Sequence, residues 1–465
     1  MSYSIDLVGD VVLAQSIIDR SITEFIDKNV AEIGNTAMRN CKAMKRLILK
    51  EATMLGESAF SGCSALETAD VYRQIHLTNG LFQNCGALQK LILRSETLCP
   101  MDSATALAGT PISGSGTGYV YVPRALVSAY KANSAWSAYA SKIQAIEDYP
   151  FELSNFGVCW EQNEKNGPGS TSEIWIKELN GQLFSGSSST GSFRSTDGKN
   201  WVRTSNRVRS MAYGAGVFVR TYDSYGLYYS ADGENWTASN VTSGQFYTVA
   251  YGGGVFAAYD YSNNRIYYST DGKSWELSDF SASTYSRGIV YGGGGFVFGC
   301  GAGAYHSKDG KSWTKVELFT KTTRSLHSVN GRYFLGYPSD ALYWSDDGEN
   351  WTKTNIIGDT TIYSCAYVDG LWVISGICSN SSNVWYSEDG KTFTVVEGAP
   401  GVRGGVAHVN GIWFVLSDKG AYRSADGKVW AQASAFKFNN SNLCAASLNG
   451  VLVGLDSSGY FWYSE

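Results

Sequence analysis

Seven near-copies of one short motif, Ser-x-Asp-Gly-x-x-Trp, place an aspartate at regular intervals along the last two thirds of the chain. Carboxylates are the side chains that act as acid, base or nucleophile in glycoside hydrolysis, and they also bind Ca²⁺. Either chemistry needs several carboxylates that converge on one point. The seven copies have only one aspartate position in common, and successive copies lie 35 to 42 residues apart. The aspartates are Asp197, Asp232, Asp271, Asp309, Asp347, Asp389 and Asp426.

A local structural role accounts for the residue types of the motif. An aspartate followed by glycine accepts backbone N–H groups within a turn, and the serine hydroxyl adds another local bond. Glycine adopts a backbone conformation that a Cβ would disfavour, and the final aromatic side chain packs between neighbouring repeats. We therefore predict that the seven aspartates maintain turns, with no catalytic role and no bound metal.

The spacing of the motif predicts a β-propeller, because a period near 38 residues suits a blade of four strands. In each period, Asn-Gly, Gly-Gly or Asp-Gly pairs mark a hairpin between the first two strands. Seven units carry a motif, and three further strands follow Trp430. The orphan strand 155–162 is placed to supply the fourth strand of that last unit. This arrangement predicts eight blades; seven blades with an accessory tail is the alternative.

A second repeat occupies the first third of the chain, where Cys41, Cys63 and Cys85 are separated by 22 residues within aligned text. A period of 22 with Leu-x-Leu segments is typical of a leucine-rich-repeat solenoid, with one short strand and one helical turn per unit. A small buried residue is needed at the turn, so we interpret the cysteines as core residues. No Cys-x-x-Cys pair indicates a metal or redox role.

Both repeats resemble known families. The block Ala-Phe-x-x-Cys-x-x-Leu at 59–66 resembles the bacterial surface-antigen type of leucine-rich repeat, over about residues 21–98. The aspartate motif resembles the Asp-box, or sialidase-type, repeat of β-propellers. These resemblances imply a mainly β chain: an N-terminal segment and repeats in 1–98, a cap with two short helices in 99–150, and the propeller in 151–465.

Composition argues against several classes of function. The net charge of −5 disfavours a nucleic-acid partner. No run of eighteen apolar residues predicts a membrane span, and the N-terminus lacks the features of a secretory signal peptide. The nine cysteines do not form the pattern of a disulfide framework. The four histidines lie in separate repeats without metal-ligand spacing, so we predict no metal and no cofactor.

Three arginines are the strongest candidates for an anion site. Alignment of the first strands on their turns puts Arg209, Arg287 and Arg324 at one position, which Tyr247 and Tyr363 occupy in two other units. Three arginines can clamp a carboxylate through bidentate bonds; alternatively, this position near the channel tolerates long polar side chains. A sialidase would also bring an Arg-Ile-Pro block, which is missing. We name no catalytic residue and do not expect an enzyme.

The loops opposite the aspartate turns are rich in Tyr, Ser, Asn and Gly, which is typical of recognition surfaces. Tyrosine offers a flat face for a sugar, and the polar side chains offer hydrogen-bond partners. The alternative is that these are ordinary solvated loops. The predicted ligand-binding residues are Tyr222, Asp223, Tyr225, Tyr247, Asp260, Tyr261, Tyr285, Arg287, Arg324, Tyr337 and Asp340.

The combination of modules resembles tail-fibre or tail-tip adhesins of phages and prophages of gut bacteria. That resemblance implies a virion protein that binds a glycan or protein on the host cell surface, contacts other tail proteins and can form homo-oligomers. One alternative is a bacterial surface or secreted adhesin exported by a non-classical route. Another is a glycoside hydrolase of sialidase-like type.

Overall fold

The computed structural model describes residues 2–4, 12–13, 21–27, 30–149, 161–162, 174–187, 191–205, 208–222, 226–281, 286–399, 401–402, 404–434, 444–456 and 460–464. The chain divides into two compact units, residues 1–154 and 155–465. Each unit is built from one of the two sequence repeats, so each is described by itself.

Unit 1 (residues 1–154) is a solenoid in which successive repeats add parallel strands in chain order. The register sets Leu47 beside Ala69 and Ala69 beside Leu91, so every second side chain faces one continuous core. The longer sheet contains Ser2–Ser4, Glu24–Asp27, Arg46–Leu49, Thr68–Val71, Lys90–Leu93, Tyr119–Val122 and Ile143–Ala145. The shorter sheet contains Val12–Leu13, Glu32–Ile33 and Met54–Leu55.

The segments opposite the longer sheet also stack, through backbone bonds between repeats. The N–H of Phe60 donates to Leu81 O at 3.0 Å, and that of Phe82 donates to Ala106 O at 2.8 Å. The two phenylalanine rings are parallel, with centroids 5.4 Å apart. The buried thiol of Cys85 donates to Phe60 O at 3.2 Å, so the repeated cysteine fills the core and binds the preceding repeat.

The segments just before these cysteines are turns, where the sequence predicts a turn of helix. Residues 35–40, 57–62 and 79–84 form consecutive turns. Asn40 and Asn84 have φ values of 62° and 60°, in the left-handed region that ends a helix. Asparagine tolerates this conformation, and a backbone bent in this way directs its N–H groups to the next repeat.

The last helices of unit 1 cover the end of the solenoid core. The N–H of Cys99 donates to Tyr130 Oη at 2.8 Å, and Trp136 Nε1 donates to Cys99 O at 2.9 Å. Both aromatic side chains are fully buried. The strand Ile143–Ala145 follows the last of the predicted helices and extends the sheet. The described helices are Ala104–Leu107, Arg124–Leu126, Val127–Ala132, Ser134–Lys142 and Ile146–Asp148.

Unit 2 (residues 155–465) is a β-propeller with eight four-stranded sheets among the described residues. The first strands of adjacent blades contact one another, so they surround the central axis. These inner strands, which number the blades 1 to 8, are Ile174–Leu179, Val208–Gly214, Phe246–Gly252, Ser286–Gly292, Ser325–Val329, Thr360–Val368, Gly405–Val409 and Cys444–Leu448.

The other strands follow outward in antiparallel order. The second strands are Gln182–Ser187, Val217–Tyr222, Val255–Asp260, Gly295–Cys300, Arg332–Gly336, Leu371–Cys378, Ile412–Ser417 and Val451–Leu455. The third strands are Ser192–Ser195, Gly226–Ser230, Arg265–Ser269, Gly303–Ser307, Asp340–Ser345, Ser381–Ser387, Gly420–Ser424 and Phe461–Ser464. The outer strands are Val202–Ser205, Thr237–Ala238, Glu276–Leu277, Thr314–Val316, Thr352–Gly358, Thr394–Val395, Ala431–Ser434 and Glu161–Gln162.

The eighth blade confirms the prediction of eight blades over seven. Its outer strand comes from the N-terminal side of unit 2, where Glu161 pairs with Tyr463 and Gln162 with Trp462 in antiparallel register. The remaining residues of the predicted orphan strand, 155–160, lie outside the described residues. One sheet thus joins the two ends of the propeller, and the ring closes without an open seam.

The Asp-box turn joins the third strand of a blade to the outer strand, as blade 5 illustrates. Asp347 Oδ1 accepts the N–H of Asn350 at 2.7 Å and the hydroxyl of Ser345 at 3.0 Å. The serine oxygen accepts the N–H of Gly348 at 2.9 Å, and Trp351 Nε1 donates to Gly348 O at 2.8 Å. The serine–glycine bond recurs in all seven copies of the motif.

A side-chain latch connects some adjacent blades. Asn355 Oδ1 accepts the N–H of Phe393 at 2.7 Å, and its Nδ2 donates to the carbonyl of Phe393 at 2.8 Å. Asn240 makes the same two bonds with Trp275, and Asp279 accepts the corresponding N–H from blade 4. Each latch residue follows the aromatic residue of its own Asp box by four positions. The spacing of the Asp boxes did not predict this contact.

A second inter-blade contact follows a simple pairing rule. Each contact joins one residue of an Asp box to one residue of the preceding blade. The first residue lies two positions after the box aspartate. The second lies immediately before the box serine of the preceding blade. Where the first is Glu, the second is a cation or histidine: Glu234 pairs with Arg194, and Glu349 with His306. In four of the five blades where the first is Lys, its ammonium lies 4.7 to 6.0 Å from the centre of an aromatic ring. These pairs are Lys199–Tyr463, Lys273–Tyr229, Lys391–Trp344 and Lys428–Tyr386.

The Asp-box turn predicts a dependence of stability on pH. Burial raises the pKa of Asp347, but hydrogen bonds from Asn350, Glu349 and Ser345 outweigh it and lower the pKa to about 2. A pKa below that of the unfolded chain stabilises the fold above about pH 4, and this contribution is lost as pH falls through 2. We expect Asp347→Asn to lower the free energy of unfolding at pH 7 by about 1 kcal/mol.

Urea unfolding at pH 7, 4 and 2 measures this effect. The difference between the wild type and Asp347→Asn should shrink between pH 4 and pH 2, because the wild-type carboxylate becomes protonated there. Asp418→Asn, which alters an exposed aspartate in a different turn, is the control. A difference for Asp347→Asn that stays constant from pH 7 to pH 2 would contradict the role of the charge.

The latch predicts a cost in stability when its amide is removed. Asn355→Ala deprives the N–H and C=O of Phe393 of their side-chain partners, so we expect the free energy of unfolding to fall by about 1–3 kcal/mol. Thr352→Ala, on the exposed side of the same outer strand, is the control. Equal unfolding midpoints for the two variants in urea would show that the latch contributes nothing.

Candidate ligand-binding face

The described members of the predicted ligand set lie on the loop face of the propeller. We define this face as the loops that join second to third strands and outer strands to the next inner strand. The Asp-box turns lie on the opposite face, because strand direction alternates within each blade. Each inner strand begins at the loop face, so its first residues lie at that mouth of the channel. Side chains of the first inner-strand residues and of the loops therefore meet there.

The inner-strand position that aligns Tyr247 with the three arginines is a β-bulge in several blades. Tyr247 lies between the pairs Phe246–Asp260 and Thr248–Tyr259 and has no residue opposite it. The register shifts in the same way at Arg287 and at Tyr363. In blade 2 the shift takes in Arg209 and the residue after it. Bulges re-aim side chains beside binding sites, and the sequence pattern located the position without indicating the bulge.

Three side chains of blades 2 and 3 form a stack on the loop face. The guanidinium carbon of Arg209 lies 4.0 Å from the ring centre of Tyr247. The rings of Tyr247 and Tyr261 are 5.0 Å apart and inclined at 48°. All three are half-buried. The stack thus combines a positive charge with aromatic surface that remains accessible to a ligand.

Asp260 holds the loop that carries Tyr261. This carboxylate is 1% exposed. Its Oδ1 accepts the N–H of Gln245 at 3.0 Å and both the N–H and the hydroxyl of Ser262, at 3.0 and 2.6 Å. Its Oδ2 accepts the amide of Asn263 at 2.6 Å. With four donors and almost no exposed surface, Asp260 positions the loop instead of presenting a carboxylate to a ligand.

Two other predicted ligand residues also form internal bonds in blade 5. Tyr337 is buried, and its hydroxyl accepts the N–H groups of Thr320 and Lys321 at 2.9 and 3.0 Å. Asp340 accepts the ammonium of Lys353 at 2.6 Å and the hydroxyl of Tyr343 at 2.5 Å. The Lys353 bond, followed by the tyrosine bond, lowers the pKa of Asp340. These contacts order the loops of blade 5.

Arg324 forms a bidentate ion pair with Asp359, with Nε–Oδ1 and Nη2–Oδ2 distances of 3.0 Å. The pair connects blade 5 to blade 6, and both side chains are more than 40% exposed. A carboxylate ligand at Arg324 would compete with Asp359. Two of the three arginines that the sequence aligned therefore have different surroundings: Arg209 lies over a tyrosine ring, and Arg324 pairs with a carboxylate.

Part of the predicted face lies outside the described residues. This applies to all of Asp223, Tyr225 and Tyr285, and to the side chains of Tyr222 and Arg287. Within the described part, no three potential metal-ligating side chains come together. No described helix has the length and apolar character needed to cross a membrane.

A comparison with known protein families identifies the repeat of unit 1. Residues 18–101 match the BspA type leucine rich repeat region, in six copies. No curated protein sequence matches the chain significantly. The designed protein Ika8 is similar with a TM-score of 0.48 and 10% identity, over 64% of this chain and 98% of its own.

Two natural proteins show the same kind of likeness. YCF48 from Cyanidioschyzon merolae has a TM-score of 0.40 and 13% identity, over 66% of this chain and 98% of its own. The GH74 enzyme of Niastella koreensis has a TM-score of 0.41 and 16% identity, over 63% of this chain and 43% of its own. These likenesses concern the fold alone.

The bonds of Asp260 predict that its removal loosens the Tyr261 loop. In Asp260→Ala the N–H groups of Gln245 and Ser262 lose their acceptor, which should lower the free energy of unfolding by about 1–3 kcal/mol. Hydrogen exchange at these two amides should accelerate more than at the core of blade 7. Asp418→Ala is the control, and unchanged exchange in the Asp260 variant would refute the positioning role.

Proposed function

We propose that this chain is a binding protein whose propeller recognises carbohydrate on a host cell surface through the loop face of blades 2 and 3. The observation that carries the proposal is the stack of Arg209, Tyr247 and Tyr261. Aromatic rings bind the apolar face of a sugar, and loops rich in Ser, Asn and Gly supply partners for its hydroxyl groups. A bulged strand and a buried aspartate fix the stack before any ligand arrives, which reduces the ordering cost of binding.

The biological setting we propose is the tail fibre or tail tip of a phage or prophage. Support comes from the association of two modules, a leucine-rich repeat region and a propeller, in one chain. One module would bind the host and the other would join the particle. Weak binding at each propeller would be multiplied by the number of copies on a virion. A bacterial surface adhesin with the same loop face is the alternative setting.

Binding is favoured over glycoside hydrolysis by the surroundings of the acidic residues. Most glycoside hydrolases use one carboxylate that donates a proton and a second that acts as base or nucleophile. Among the described candidates of the loop face, Asp260 is buried among four donors and Asp340 is bound to Lys353 and Tyr343. Both carboxylates therefore serve the fold of their loops.

Binding of the full-length protein to a glycan array and to intact gut-bacterial cells tests the proposal. We expect saturable binding that Tyr247→Ala and Tyr261→Ala each weaken about tenfold, because an aromatic contact contributes ~1–2 kcal/mol. Tyr268→Ala is the matched control: it removes the same side chain from the third strand of blade 3, where the hydroxyl bonds to Glu276. This variant should bind like the wild type.

Three outcomes would overturn the proposal. Binding that all three variants retain would place the ligand elsewhere on the protein. No binding to any glycan or cell would remove host recognition as the function. Release of sugar from a bound glycan, with the rate reduced in the tyrosine variants, would make the protein a hydrolase.

A further inference from the structure

Four blades of the propeller join their first two strands through the same two-residue turn, Asn-Gly. The backbones of these turns are closely similar, with φ values of 50–51° at the asparagine and 72–81° at the glycine. A difference in chemical reactivity among them must therefore come from their surroundings. The turns are Asn180–Gly181, Asn330–Gly331, Asn410–Gly411 and Asn449–Gly450, in blades 1, 5, 7 and 8.

An Asn-Gly pair can lose ammonia without an enzyme, which makes asparagine one of the labile residues of proteins. The backbone nitrogen of the glycine gives its proton to a base and attacks the side-chain carbonyl carbon of the asparagine. A cyclic succinimide forms as the C–N bond of the side-chain amide breaks, and water then opens the ring to aspartate or isoaspartate. The absence of a Cβ on glycine removes a steric obstacle to this attack.

The turn of blade 1 places a base in contact with the reacting nitrogen. The N–H of Gly181 donates to Glu178 Oε1 at 2.6 Å. Glu178, Asn180 and Gly181 are all exposed, and a Cβ placed on Gly181 would have no neighbouring atom within 4 Å. Among the described residues, the side-chain amide of Asn180 has no hydrogen-bond partner. The carboxylate can therefore take the N–H proton while the asparagine side chain stays free to react.

The other three turns lack this carboxylate. The position two residues before the asparagine, which Glu178 occupies in blade 1, holds Ser328 in blade 5, His408 in blade 7 and Ser447 in blade 8. A serine hydroxyl is not a base at neutral pH. The four turns thus form a matched series in which one member carries a carboxylate on the glycine N–H.

Contacts with neighbouring blades also restrain the other three turns. Gly331 O accepts the N–H of Gly293 at 2.7 Å, which ties the turn of blade 5 to blade 4. Asn410 Nδ2 donates to Gly450 O at 3.3 Å, so the amide of blade 7 is held against the turn of blade 8. The same contact crowds blade 8, where a Cβ on Gly450 would lie 3.3 Å from Asn410 Oδ1.

We propose that Asn180 is a site of spontaneous modification, at which Glu178 is the base that promotes conversion to aspartate or isoaspartate. The carboxylate takes the proton of Gly181 N–H as the bond from this nitrogen to Asn180 Cγ forms. The carboxyl group then returns the proton to the departing amide nitrogen, which leaves as ammonia. Ring opening consumes one water, so the net change replaces an amide by a carboxylate.

The product differs from the original turn in charge and, for isoaspartate, in backbone length. Either product adds one negative charge beside Glu178. Isoaspartate also adds a carbon to the main chain at the turn that joins the first two strands of blade 1. This turn lies on the Asp-box side of the propeller, opposite the loop face, so the proposal does not depend on carbohydrate recognition.

Prolonged incubation of the full-length protein at neutral pH, followed by peptide mass spectrometry, tests the proposal. Electron-transfer fragmentation distinguishes isoaspartate from aspartate. We expect Asn180 to convert at least about tenfold faster than Asn410 and Asn449, because a positioned base contributes this factor or more to a proton transfer. Glu178→Gln keeps an oxygen that can accept the N–H but removes the base, so it should cancel this advantage. Lys177→Gln, which changes a charge on the neighbouring exposed residue, is the control and should leave the rate unchanged.

Three results would overturn the proposal. The first is conversion of all four asparagines at similar rates in the wild type, a comparison that needs no variant. The second is an unchanged or faster rate at Asn180 in Glu178→Gln. The third is an equal slowing in Glu178→Gln and Lys177→Gln, which would show that the carboxylate does not act as a base on Gly181.

Discussion

The contact between one blade and the next is the interaction on which the propeller depends. A four-stranded sheet has two faces to bury, and in a ring each face can be buried only by a neighbour. The Asp box serves this contact because its carboxylate orders the turn that brings the aromatic residue to the junction. The latch between the side chain of Asn355 and the backbone of Phe393 then connects the outer strand of one blade to the Asp box of the next.

The pairing rule between adjacent blades adds selectivity to this contact. Near-identical repeats can pair with the wrong neighbour during folding, and contacts that differ from junction to junction oppose such errors. Glu234 meets Arg194, and Lys391 meets Trp344. If the blades that carry Glu234 and Lys391 exchanged places, Lys391 would meet the like charge of Arg194. Glu234 would then meet the ring of Trp344 and lose its cationic partner. Individually weak surface contacts thus help to fix the order of blades.

The sequence was sufficient for architecture and insufficient for the details of the loop face. Period, turn residues and the orphan strand predicted the eight blades, because these signals are local and recur. The bulge at Tyr247, the ion pair between Arg324 and Asp359, and the burial of Asp260 depend on strand register and on residues in neighbouring loops. The latch was visible as a polar residue four positions after the box aromatic, but its partner lies a full repeat away. In unit 1, the left-handed residues Asn40 and Asn84 turned a predicted helical segment into stacked turns.

The strand Glu161–Gln162 gives the propeller a mechanical property as well as a closed ring. Since it pairs directly with the last strand, Phe461–Ser464, a pull applied between the two ends of unit 2 passes through one pair of strands in blade 8. The other seven blades lie off that path and carry no load until this pair separates. Under such a pull this pair of strands separates before the other blades unfold, so the loop face of blades 2 and 3 keeps its shape while blade 8 opens.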